Sequence, residues 1–114
     1  MPMIGTWRTR VEFFEAVAVP EALGYRESLV ALDPPAADLG IRAAGPRDLE
    51  RMTAGTVTAT ATHVLEGWMH PGVTTRSVLK VPGPAGDRRF SVLYVGNPDG
   101  QQTYMELLCA ERVK

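Results

Sequence analysis

The residues able to do chemistry are few and scattered. Metal binding needs three or four ligands in a compact geometry, and the candidates are His63, His70 and Cys109 with dispersed carboxylates. His63 and His70 stand seven residues apart, so on a strand they point to opposite faces and cannot share an ion. A nucleophile needs Ser or Cys beside a base, yet Ser28, Ser77 and Ser91 lie in no catalytic motif and no G-x-S-x-G elbow is present. Cys109 falls on the apolar side of an alternating segment, which predicts an inert buried thiol. The carboxylate pairs Glu12/Glu15 and Asp48/Glu50 read as solvated faces. The glycine-rich run 82–87 lacks the Walker pattern and no helix follows it, so it is no phosphate cradle. The nearest approach to a nucleic-acid platform is Arg88-Arg89-Phe90 with Tyr94, where period-two spacing would put Arg88, Phe90 and Tyr94 on one face. These residues predict neither an enzyme nor a metal or cofactor site.

The elements that must position these residues read as strands between turns. Turn markers occur at 20–24, 33–35, 45–46, 70–72, 82–87 and 96–100, where Pro removes a donor and Gly permits positive φ. Between them, alternating segments at 6–19, 57–70, 75–81, 88–95 and 104–113 predict strands, with a further strand over 25–32. The run 33–38 reads as an interruption before that strand resumes at 39–42. Trp7, Val11, Phe13, Val17 and Val19 form one face of the first strand. Met105, Leu107, Cys109 and Val113 form one face of the last, with Glu106 and Arg112 opposite. Pro46 suits a first helical position, so a short helix is expected over 46–53. The expected fold is mainly β: a small antiparallel β-barrel or sandwich of five or six strands with one short helix or long loop.

Composition bounds the function. The 114 residues predict a single domain over 1–114, with 12 basic against 13 acidic residues. That balance disfavours a general nucleic-acid binder, which needs surplus cations to displace counterions. One cysteine excludes an internal disulfide framework, and no apolar run approaches the ~20 residues of a membrane span. The first ten residues carry no hydrophobic signal core, so a cleaved leader is not expected. Thr58, Thr60 and Thr62 make a polar but uncharged strand face, which another subunit could cover with little charge desolvation.

Three stretches resemble one family. The opening Gly5-Thr6-Trp7-Arg8-Thr9-Arg10-Val11 looks like the G-x-[hydrophobic]-R-x-R-V start of the phage head–tail joining proteins, the head-closure or stopper proteins of long-tailed phages. The strand Thr62-His63-Val64 and the turn Pro71-Gly72-Val73-Thr74 resemble that family's T-H-R-V strand and P-G-[IV] turn. The stretch from Arg89 through Tyr94 to Pro98, followed by Tyr104-Met105-Glu106-Leu107-Leu108-Cys109-Ala110-Glu111, is similar to its closing hairpin. The resemblance runs from residue 5 to 113. It implies a β-barrel in a homo-oligomeric ring, expected to be dodecameric, between the portal or adaptor ring and a tail terminator or tail-tube protein. Such a ring retains packaged double-stranded DNA, passes it without reading its sequence, and belongs to a virion or gene transfer agent assembled in the host cytoplasm. It further implies a channel loop within 43–56, whose Arg47 and Arg51 are balanced by Asp48 and Glu50. The alternatives are an OB-like nucleic-acid-binding module and a small enzyme with an unrecognised site.

Overall fold

The computed structural model describes residues 7–46, 61–96 and 103–112. Six strands are present: β1 (Thr9–Glu21), β2 (Gly24–Ala43), β3 (His63–Trp68), β4 (Ser77–Val81), β5 (Arg88–Gly96) and β6 (Tyr104–Glu111). Every pairing is antiparallel, and the order β1-β2-β3-β6-β5-β4 returns to β1, closing a barrel. Closure removes the free edges that a six-stranded open sheet would expose. Of the helix expected over 46–53, only Pro46 falls among the described residues.

Inward-facing positions follow strand parity. Val11 and Phe13 of β1, Leu39 of β2, Leu65 of β3, Leu79 of β4, Phe90 and Val92 of β5, and Met105, Leu107 and Cys109 of β6 form one buried cluster. Each large side chain fully withdrawn from water contributes about 1.5–3 kcal/mol. Gly67 continues the inner face of β3 without a side chain, because Leu39 Cδ2 would lie 2.2 Å from a Cβ there. Parity holds on β1 only as far as Phe13. Val17, expected on the core face, is exposed, because β1 leaves the barrel beyond its last pair with β4, Glu15↔Ser77.

The second strand corrects the sequence reading. The run 33–38 does not interrupt it, and β2 is continuous over twenty residues. The register instead slips opposite Phe13: Glu12 pairs with Ala36 and Phe14 with Ala31, so residues 32–35 bulge against a single residue. Pro34 and Pro35 are tolerated there because a bulge asks for no ladder N–H. A buried imidazole holds this bulge. Gly72 N–H donates to His70 Nδ1 at 2.9 Å, which leaves the proton on Nε2, and Nε2–H donates to the Pro34 carbonyl at 2.7 Å. The same ring packs on Phe13 at 4.6 Å between centroids.

The outer wall departs from expectation at two points. Leu108 and Val64 face outward as a cross-strand pair yet are fully buried, with Ala44 and Ala61 packed against them. Glu106, opposite the core face of β6 as the alternation implies, is nevertheless buried at 7% exposure, with Arg42 at 3.7 Å from its carboxylate.

Two measurements check this architecture. His70→Phe keeps the ring against Phe13 but orphans the Pro34 carbonyl and the Gly72 N–H, and should lower unfolding free energy by about 2–4 kcal/mol in a urea titration. Cys109 is fully buried and its thiol is pushed up to about 12 by burial. A maleimide should therefore label it slowly in the folded protein and rapidly in denaturant, and equal rates would contradict the core assignment.

Candidate interaction surfaces

The hairpin joining β1 and β2 extends beyond the barrel. Past Ala16, whose N–H donates to the Arg76 carbonyl, β1 pairs only with β2, and β2 meets β3 only from Gly40 onward. Its turn is Ala22-Leu23, closed by Gly24 at φ 128°, a conformation costly for any residue with a Cβ. Val17, Leu23, Tyr25 and Val30 are exposed along it, Leu23 completely. Each charge on this arm is matched. Glu15 meets Arg76 at 3.5 Å, Glu21 meets Arg26 at 2.9 Å, and Glu27 meets Arg112. The arm is thus apolar and electrically compensated.

Arg112 ties the arm to the barrel. Its guanidinium donates to Ser91 Oγ at 2.7 Å and to both oxygens of Glu27, 85 residues away in sequence. The hydrogen bond from Arg112 holds the Glu27 carboxyl below its ordinary 4.5, against a smaller opposing effect of desolvation. A second bidentate pair stands close by. Arg88 donates to Glu111 at 2.8 and 3.0 Å, stacks over Phe90 at 5.1 Å, and approaches His63 Nε2 at 3.4 Å. That hydrogen bond lowers the Glu111 carboxyl in the same way. Between these pairs and the turn at 83–86 lies a groove of about 760 Å³, lined also by Arg89. Two of its three arginines are committed to carboxylates, which leaves little cationic character for an anion.

The outer wall of β3, β6 and β5 is aromatic. Trp68 and Tyr94 are exposed there, and Tyr104 sits opposite Trp68 in the β3–β6 register. Trp7 meets Trp68 edge-on at 5.1 Å and lies against Gly40, where a Cβ would stand 2.9 Å from its ring. The Trp7 Nε1 donor is buried and finds no acceptor among the described residues.

The residues singled out in the sequence fare differently. Arg47, Asp48, Glu50 and Arg51 lie outside the described residues, as do Thr58 and Thr60. Thr62 is described and exposed, but its hydroxyl is engaged: it accepts the Glu111 N–H at 2.8 Å and lies 2.9 Å from His63 Nδ1. His63 and His70 are separated, one at the Arg88 cluster and one beneath the bulge. Phe90 and Tyr94 do not share a face as expected. A register shift between Val92 and Tyr94 breaks the alternation, so Phe90 is buried and Tyr94 faces out. No group of three or more potential metal ligands occurs among the described residues. The arm itself escaped the sequence reading, which marked its turn but had no signal that the strands outrun their neighbours.

No family model matches the chain, and no curated protein matches it. Among solved structures, it is similar to the solution structure of protein SF1141 from Shigella flexneri 2a, with a TM-score of 0.67 over 99% of both chains at 19% identity. An identity that low establishes a shared fold alone.

The Arg112–Glu27 tie should be visible in solution. Arg112→Ala should speed amide exchange across 16–30 while leaving 104–111 protected, and Glu27→Gln should reproduce most of the effect. Because both carboxyls are lowered in the folded state, their contribution is complete above pH 4.5 and is lost as pH falls through the lowered values. Both pairs are solvent-exposed, so each contributes only about 0–1 kcal/mol to global stability.

Proposed function

We propose that this chain is a structural protein of the neck of a phage or gene transfer agent. It forms a ring between the portal or adaptor and the tail, retaining packaged DNA and supporting tail attachment. The observation that carries the reading is the β1–β2 arm, whose exposed apolar side chains stand among charges that are already paired. Such a surface can be covered by another protein without stranding an ion. The resemblance of residues 5–113 to head-closure proteins supplies the identity of the assembly. A barrel with its chemistry-bearing side chains committed to internal pairs is consistent with an assembly part.

The OB-like alternative loses its principal support. It required Phe90 and Tyr94 beside Arg88 on one stacking face, and Phe90 is in the core while Arg88 is paired with Glu111.

Deleting the gene in its native host should yield heads that lose their DNA and carry no tails, with free tails accumulating, and complementation should restore particles. Mass spectrometry of purified particles should find the protein. Normal particles from the deletion strain, or a protein absent from particles, would overturn the reading. Tight oligonucleotide binding with a steep salt slope would favour the nucleic-acid alternative instead.

A further inference from the structure

Three cations stand in a row across the outer face of β4, β5 and the end of β6. Lys80 pairs with Arg89 in the β4–β5 register, and on the other side the Arg112 N–H donates to the Arg89 carbonyl at 2.7 Å. Arg89 and Ser91 share one face of β5, and the Arg112 guanidinium reaches Ser91 Oγ, so it lies over that same face. Like charges opposite one another across a ladder repel, and such a row calls for anions. Lys80 has Asp87 at 3.2 Å, and Arg112 has Glu27. Arg89, between them, is exposed and has no hydrogen bond or ion pair of its side chain among the described residues. We propose that Arg89 and Arg112 form a binding site for a small oxyanion, a phosphate or carboxylate group, whose place is held in this structure by the arm's own Glu27.

The two carboxylates that occupy this groove differ in how they are held. Glu111 pairs with Arg88 from within the β5–β6 ladder, where its backbone is fixed opposite Phe90. Glu27 comes from the arm, beyond the last pairing of β1 with β4, so it can leave Arg112 without disturbing the barrel. An exposed ion pair of this kind holds weakly. The groove gives an incoming group room: its far side is the turn 83–86, closed by Gly86 N–H to the Gly83 carbonyl and built from small side chains.

Charge favours the exchange. With the arm seated, Lys80, Arg88, Arg89 and Arg112 face Asp87, Glu111 and Glu27, a surplus of one positive charge that becomes two when Glu27 is away. The Glu27 carboxyl is held low first by the Arg112 hydrogen bond and, less strongly, by the charges of Arg112 and Arg89, so Arg89 acts on it without a hydrogen bond. A guanidinium offers parallel N–H donors to two oxygens at once. A free oxyanion therefore reproduces what Glu27 gives Arg112 and can also approach Arg89, which the tethered carboxylate does not reach. The two ligands compete for Arg112, so each weakens the other: a bound anion loosens the arm, and loss of Glu27 tightens the anion. The site stands whether or not the chain forms a ring.

Anion titrations followed by NMR test this. Inorganic phosphate and glutarate are each exchanged for chloride at constant ionic strength, which removes general screening, while the arginine Nε–H and backbone amide signals are recorded. The Arg89 and Arg112 signals should shift and saturate, and Glu27→Gln should tighten binding by about fivefold or more. Arg89→Gln should abolish saturation in both the native chain and the Glu27→Gln variant, with protected amides over 104–111 verifying the fold. In the native chain the bound anion should also speed amide exchange across 16–30. Saturation by phosphate alone assigns the site to phosphate groups, by glutarate alone to carboxylates, and by both to oxyanions generally; each sustains the proposal. Shifts that never saturate in Glu27→Gln, equal affinity with and without Glu27, or binding undiminished by Arg89→Gln would overturn it.

Discussion

Between Glu12 and Phe14 the first strand advances by one residue while its partner passes four, 32–35, and the rest of the molecule accommodates that difference. Phe13 is freed from a β2 partner and aligns with Leu79 of β4, which is where the barrel closes. The excess backbone of β2 must still satisfy its polar groups. His70 does so for the Pro34 carbonyl, and through its other nitrogen fixes the turn at Gly72. One neutral imidazole thereby joins the bulge, the 70–72 turn and the Phe13 ring. On one side of this junction β1 and β2 belong to the barrel, and on the other they form the arm.

Strand parity was legible in the sequence wherever a strand is buried on one face and free of bulges. Met105, Leu107 and Cys109 alternate into the core as the pattern implies, and the inert thiol follows from that alternation. The reading fails where the register slips. At 33–35 the prolines look like a stop because a ladder cannot use them, yet a bulge can. Between Phe90 and Tyr94 spacing implies a common face, and one extra residue on β5 reverses the outcome. Glu106 and Leu108 show a different limit. They alternate outward correctly, but burial of an outer wall depends on what lies over it, and no local pattern records that.

The candidate surfaces divide along the same line. The polar face containing Thr62 carries no charge, yet the Thr62 hydroxyl is occupied by the backbone of β6. The arm does carry charges, so an uncharged strand pattern does not point to it. Their neutralisation arises only in three dimensions, from partners such as Arg76 and Arg112 that are distant in sequence. Charge count along a strand is a weak guide to an interface because compensation is a property of the fold.

The strand order also bears on how the chain acquires its structure. β6 follows the other five described strands in sequence, yet it stands between β3 and β5 and contributes three of the buried core residues. During synthesis from the amino end, β1, β2 and β4 can find one another early, but the facing edges of β3 and β5 have no partner until residues 104–111 emerge. Long-range closure of this kind is slow, and unpaired edges favour association between unfinished chains. The interval before the sixth strand inserts is when productive folding and aggregation compete.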